Sequence, residues 1–301
     1  MRRTAASPAA ALVGAITALL LAGCAPAAAT RLPEGVSVAV QQNRDDYGPR
    51  RIEVLVTNDS AAPLEVARAS LESSAFTGAA ESSRATTVRP GTTTALRLQL
   101  APPDCADAEG DGTDAADGTA ADAAAAAASV RLDFTQGDAS GSAVVTPDDP
   151  LGSLPRIHAE DCLAQRVAGI VSIEPGDSVS VAEEGGEAVA HLGVVLTPTG
   201  APGSVSIASI GRTILLRPAS GADSWPVGAR LDAGAAPVRF DLPILPSNCN
   251  THTVSEDKRG TFLPVAVALE DGTTGVVAVG VSDAVRGELY RFIAEDSCHW
   301  E

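Results

Sequence analysis

Along much of the chain, apolar and polar side chains change places at every second position. The segments GVSVAV (35–40), RRIEVLVTN (50–58) and LEVARASL (64–71) alternate in this way between clusters of Gly, Pro, Asn and Asp. A period of two marks a half-buried strand, because successive side chains of extended backbone point to opposite faces. The second half repeats the grammar in DSVSVA (177–182), AVAHLGVVL (188–196), SVSIAS (204–209) and RTILLRP (212–218). Two longer stretches, VRLDFTQGDASGSAVV (130–145) and VAVALEDGTTGVVAV (265–279), each predict a hairpin about a Gly-containing turn. No long amphipathic helical stretch competes with these strands.

The two hairpins belong to a larger repeat. LRLQLAPPDC ends at Cys105 and VRFDLPILPSNC ends at Cys249, both being strands that run into prolines and then a cysteine. After the hairpins come LPRIHAEDC (154–162) and LYRFIAEDSC (289–298), which share Leu, Arg and Ala-Glu-Asp before the cysteine. The order strand, cysteine, hairpin, strand, cysteine therefore occurs twice, an internal duplication of residues 24–162 and 163–301. We expect LPRIHAEDC to be a strand, with Ile157 and Ala159 facing a core and Arg156, His158 and Glu160 facing solvent. The fold class is all-β, two tandem sandwich domains over 35–162 and 163–301. The pattern resembles immunoglobulin-like domains, although neither half has the tryptophan that antibody-type domains bury between their cysteines.

The first 23 residues have a different character. Arg2 and Arg3 precede an apolar run from about Ala9 to Ala22, shorter than the roughly 20 residues a spanning helix needs. A basic start, a short apolar middle and small residues at the end form a secretory signal peptide. Its end, Leu21-Ala22-Gly23-Cys24, resembles the lipobox of bacterial lipoproteins. The resemblance implies cleavage before Cys24, diacylglycerol on that cysteine, and a protein anchored on the extracytoplasmic face of the cell membrane. Residues 24–34, rich in Ala and Pro, are expected to form a flexible tether.

Charge narrows the partners. Removing residues 1–23 takes away two arginines and no acid, moving the formal charge from −17 to −19. Such an acidic chain has no cationic footprint for nucleic acid, and anionic lipid headgroups repel it, so lipid must hold it at the membrane. Only nine aromatic residues are present, which argues against broad stacking surfaces.

With Cys24 assigned to lipid, four cysteines remain and permit three pairings. Their equivalent places in the duplication select Cys105–Cys162 and Cys249–Cys298, one bridge per domain, in an exported chain where disulfides persist. A thiolate metal site is not expected, since no Cys-x-x-Cys spacing occurs. His158 is not expected to be a ligand, because its counterpart in the second copy is Ile293.

No other motif points to chemistry. HExxH, G-x-S-x-G and P-loop patterns are missing, and His158, His191, His252 and His299 are scattered. Ser255-Glu256-Asp257-Lys258 matches the S-x-x-K of penicillin-binding proteins, but the partner K-T-G cannot exist because Lys258 is the one lysine. Asp107, Glu109 and Asp111-Gly112 match half of an EF-hand loop, yet its twelfth position is Gly118 where a bidentate glutamate is needed. The stretch 106–129 is instead expected to be a disordered, low-complexity loop.

These observations lead to a non-enzymatic, lipid-anchored binding or structural module with no catalytic, cofactor or metal residues. Its partner would be an unidentified envelope protein or ligand, met at the sandwich loops or at the junction around Leu163–Ile170. Two alternatives are a calcium-dependent adhesion module built on the acidic loop and an envelope hydrolase using carboxylates such as Asp148-Asp149.

Overall fold

The computed structural model describes residues 29–105 and 128–300. Cys24, the signal segment and residues 106–127 of the acidic stretch lie outside the described residues.

The alternating segments form sixteen strands in two antiparallel sandwiches. In the first domain the elements are β1 (Val36–Gln41), α1 (Arg44–Tyr47), β2 (Arg51–Asn58), β3 (Leu64–Glu72), β4 (Ala80–Ser82), β5 (Thr86–Val88), β6 (Thr92–Gln99), β7 (Ser129–Gln136) and β8 (Ala139–Val145). One sheet runs β1-β2-β6 and the other β4-β3-β7-β8, with β5 paired to β3. The second domain has β9 (Val171–Glu184), β10 (Glu187–Pro198), β11 (Ser204–Gly211), β12 (Leu216–Pro218), β13 (Ser224–Asp232), β14 (Val238–Pro246), α3 (Thr251–Ser255), β15 (Phe262–Leu269) and β16 (Thr274–Gly280). Its sheets run β12-β14-β10-β9 and β13-β11-β15-β16. In both domains the first, second and third-from-last strands share one sheet, and the last two pair in the other. That Greek-key arrangement is immunoglobulin-like.

Each core comes from the inward set of the alternation. Val38, Val40, Ile52, Val54, Leu96 and Leu98 meet Leu64, Val66, Val130, Leu132 and Phe134 across the first sandwich. Ala190, Leu192, Val194, Leu242 and Ile244 meet Val205, Ile207, Val265 and Val267 across the second.

The cysteine-ending segments are helices, which corrects the strand expectation. LPRIHAEDC opens α2, Ser153–Ile170, an 18-residue helix. Asp149 starts it, its carboxylate accepting the backbone N–H of Ser153 at 2.7 Å and of Leu154 at 2.9 Å. Leu154 and Ile157, one turn apart, are buried in the first core, whereas Ala159, expected inside, is exposed. The second half turns a different face: Leu163, Ala164, Val167 and Ile170 pack on the second core. Because the two halves serve different cores, no single apolar stripe runs along α2, and the helical period is blurred. The expected boundary at residues 162 and 163 falls inside this helix. Arg156 and Glu160, 3.2 Å apart, form an i,i+4 pair on it.

The second copy behaves alike. Ser282 caps α4, Asp283–Arg291, by accepting the Val285 N–H at 3.2 Å. Val285, Leu289, Phe292 and Ile293 are fully buried at helical spacing. From Phe292 to Ser297 the helix widens to a π turn, with Cys298 N–H donating to Ile293 C=O at 2.9 Å. The repeat has one extra residue at this point, Ser297. A π turn is how a helix absorbs a single insertion without turning its buried face.

Part of the expected tether is docked. Ala29 pairs with the edge of β8, donating to Ser140 O at 2.9 Å and accepting from Ser142 N at 3.0 Å. Leu32 packs against the first core. Gly141 permits this approach, since a Cβ there would clash with the backbone of Ala29. Gly141→Val is therefore expected to release residues 29–34. Trypsin cleavage after Arg31 in the folded protein, compared with wild type, is the measurement, and unchanged cleavage would count against the docking.

Candidate functional site

Both disulfides close within a domain. Cys105, after β6, joins Cys162 on α2 with Cα atoms 5.6 Å apart, and Cys249, after β14, joins Cys298 beyond α4 at 5.4 Å. Each bridge ties the connection leaving one sheet to the helix that completes its domain. His158, one turn before Cys162, lies 3.3 Å from the Cys162 sulfur, and its Nε2 is 2.7 Å from Asp104 O. Cys105, His158 and Cys162 thus cluster with metal-ligand proximity. With both sulfurs in a disulfide, no thiolate is available to coordinate.

Of the other histidines singled out by sequence, the rings of His191 and His299 have hydrogen-bond partners, whereas the His252 ring has none among the described residues. His191 stands on β10 between two carboxylates, Nδ1 at 2.5 Å from Asp241 and Nε2 at 2.8 Å from Glu184. Hydrogen bonding to Asp241 raises its pKa, partial burial opposes the rise, and Glu184 adds to it. A histidine whose folded pKa lies above its unfolded value contributes stability in full below about pH 6.5, and loses it as pH rises through the folded pKa. The second domain is expected to weaken from pH 6 to 9, and Asp241→Asn to flatten that dependence in urea melts. A variant that keeps the wild-type slope would remove this pair as its cause.

His299 donates through Nδ1 to Glu295 O, 2.9 Å away, and His252 sits in α3. Ser255, the serine of the S-x-x-K match, ends α3 and gives its hydroxyl to His252 O at 3.0 Å. Asp149 is occupied as the start of α2, and Asp148 pairs through its backbone with Val38 and Val40. The acidic loop falls almost wholly outside the described residues.

A cavity of about 610 Å³ lies between the domains. Of the residues that line it, the sequence singled out only Ser255, Asp257 and Lys258, and for a different reason. Asp45, Gly48 and Pro49, around α1, form its first-domain wall. Val254, Ser255, Asp257, Lys258, Thr261 and Phe262, from the α3–β15 connection, form the opposite wall with Arg286 and Tyr290 of α4. Tyr47 fastens the two sides. Its ring meets Phe262 edge-on at 5.5 Å, and the Arg259 guanidinium lies 3.5 Å above its face. Burial, and secondarily Glu160, raise the Tyr47 phenol pKa, while Arg259 lowers it. In the expected junction segment Leu163–Ile170, Leu163, Ala164, Val167 and Ile170 pack on the second core, while Gln165, Ala168 and Gly169 are exposed. A smaller groove of about 360 Å³ is bordered by Glu183, Glu187, Arg217, Cys249, Asp296 and His299.

No family model matches the chain, and no curated protein matches it. Among solved structures it is similar to red sea bream transglutaminase, at 10% identity and a TM-score of 0.22, over 84% of this chain and 32% of that one. The chain thus spans about a third of the transglutaminase. It is also similar to CBD12 of CALX1.2, at 13% identity and a TM-score of 0.18, covering 74% and 77% of the two chains. The calcium binding domain CBD12 of CALX1.1 gives 11% identity and a TM-score of 0.17 over 79% and 78%. At these scores the likenesses carry no inference about activity or ligand. The class of protein defined by its own topology is a tandem pair of immunoglobulin-like sandwiches, each completed by a disulfide-tied helix.

Proposed function

We propose that the protein is a lipid-anchored, extracytoplasmic binding module without catalytic activity, taking its ligand where the two domains meet. The observation that carries this reading is the cavity walled by α1 on one side and by α3, α4 and the start of β15 on the other. Small-ligand sites favour concave junctions of this kind, walled mainly by apolar groups with a few convergent polar ones. The anchor rests on the lipobox resemblance at Leu21-Ala22-Gly23-Cys24.

Cys24→Ser is expected to appear in the medium or to stay unprocessed, as fractionation and mass measurement would reveal. A variant still fully membrane-bound and cut at the same site would overturn the anchor. For the site, a photoreactive residue at Ser255 on intact cells is expected to trap a discrete adduct that the same probe at exposed Arg84 does not. Identical adducts at both positions, or none at Ser255, would overturn the junction as the binding site. Turnover of wall, peptide or ester substrates by the purified protein would defeat the non-catalytic reading.

A further inference from the structure

The junction cavity is lined by two cations and two acids. In a chain of formal charge −17, the one lysine, Lys258, lines it together with Arg286. Lys258 is exposed and has no hydrogen-bond or ion-pair partner among the described residues. Arg286 reaches Asp283 through Nη2 at 3.1 Å, but its Nε is buried without an acceptor. The hydroxyl of half-buried Tyr290 has no partner either. Lys258, the Tyr290 hydroxyl and the partly exposed guanidinium of Arg286 thus present donors on this wall that a ligand acceptor would take up.

The first-domain wall offers the opposite chemistry. Asp45 is exposed and its carboxylate is unpaired, whereas the Asp257 carboxylate is already taken up by the Gly260 N–H at 2.7 and 2.9 Å. Donors thus stand on the second-domain wall and a carboxylate without an ion-pair partner on the first, with the apolar Pro49, Val254 and Phe262 also lining the cavity. A phosphate dianion would meet repulsion from Asp45, Asp257 and nearby Asp283. A molecule carrying one carboxylate and one ammonium matches both walls. We propose that the cavity binds a free amino acid or short zwitterionic peptide, its carboxylate held by Lys258, Arg286 and Tyr290 and its ammonium by Asp45. This rests on the junction being the binding site, as argued under Proposed function.

The test is calorimetric titration of the full-length protein, purified from membranes in detergent, with alanine, trialanine and inorganic phosphate. Saturable heat is expected with trialanine, alanine or both, and the comparison tells free amino acid from peptide. Capping the carboxylate as an amide, or the ammonium as an acetyl, is expected to weaken binding of the responding probe about tenfold or more, the loss of a charge-assisted hydrogen bond. Lys258→Ala is expected to weaken it similarly, with its thermal unfolding unchanged because Lys258 is exposed, whereas Arg217→Ala in the smaller groove leaves binding intact. No saturable heat with either alanine probe, equal binding of the capped forms, or saturation by phosphate alone would overturn the proposal. If the Ser255 adduct persists while the alanine probes are silent, only the ligand class is wrong. Loss of both defeats the site itself.

Discussion

With Cys105 and Cys162 both changed to serine, the first domain is expected to lose about 4 kcal/mol of stability, from the loop-closure entropy of a crosslink spanning 57 residues. The bridge acts mainly on the unfolded chain, so the urea midpoint should fall while the native fold is kept. It also pins α2, whose first half supplies Leu154 and Ile157 to the first core. The equivalent change at Cys249 and Cys298, spanning 49 residues, is expected to cost nearly the same in the second domain. Urea denaturation monitored separately for each domain is the check. A loss under about 1 kcal/mol would show that the helices hold their places without the bridges.

Glu53→Ala is expected to destabilise the first domain by about 3 kcal/mol, at the lower end for breaking a buried ion pair. Glu53 is 2% exposed on β2 and accepts hydrogen bonds from Gln41, Asn43 and Arg97. Removing it strands those donors. Two features moderate the cost. Arg97 is half-exposed and can turn to water. Asp46, fully buried 3.6 Å from Arg97 and 3.2 Å from Arg51, gains from losing its like-charged neighbour. Burial first, and Glu53 second, hold the Asp46 carboxyl pKa above its usual range, so its charged form is under strain in the wild type. Glu53→Gln keeps an acceptor for Arg97 and is expected to lose less. Equal losses for Ala and Gln, read from denaturation midpoints, would mean that charge rather than hydrogen bonding dominates.

The strands were readable because their physics is local. Alternation at Ile52, Val54 and Val56, or at Leu96 and Leu98, reports burial on one face of a sheet, and the sheets place those residues there. The duplication was readable for the same reason, since the order of strands and cysteines survives in the chain. The two helices were missed for distinct reasons. In α2 the buried face changes partway, so Leu154 and Ile157 do not extend into one stripe with Val167. In the second copy the helical spacing Val285, Leu289, Phe292 is present, but the strong likeness of LYRFIAEDSC to LPRIHAEDC outweighs so short a periodic run. The cavity was hidden because its walls come from residues 45–49, 254–262 and 286–290, which only folding brings together. One clue was available: Tyr47, Phe262 and Tyr290 are three of only nine aromatic residues, and the sole lysine is four positions from one of them.

The docking of Ala29 against β8 sets a short leash. Five peptide steps separate Cys24 from Ala29, and fully extended chain covers at most about 3.6 Å per residue, a reach of about 18 Å. On the anchored reading, the first domain rides close over the lipid headgroups, held at that standoff by its own sheet edge.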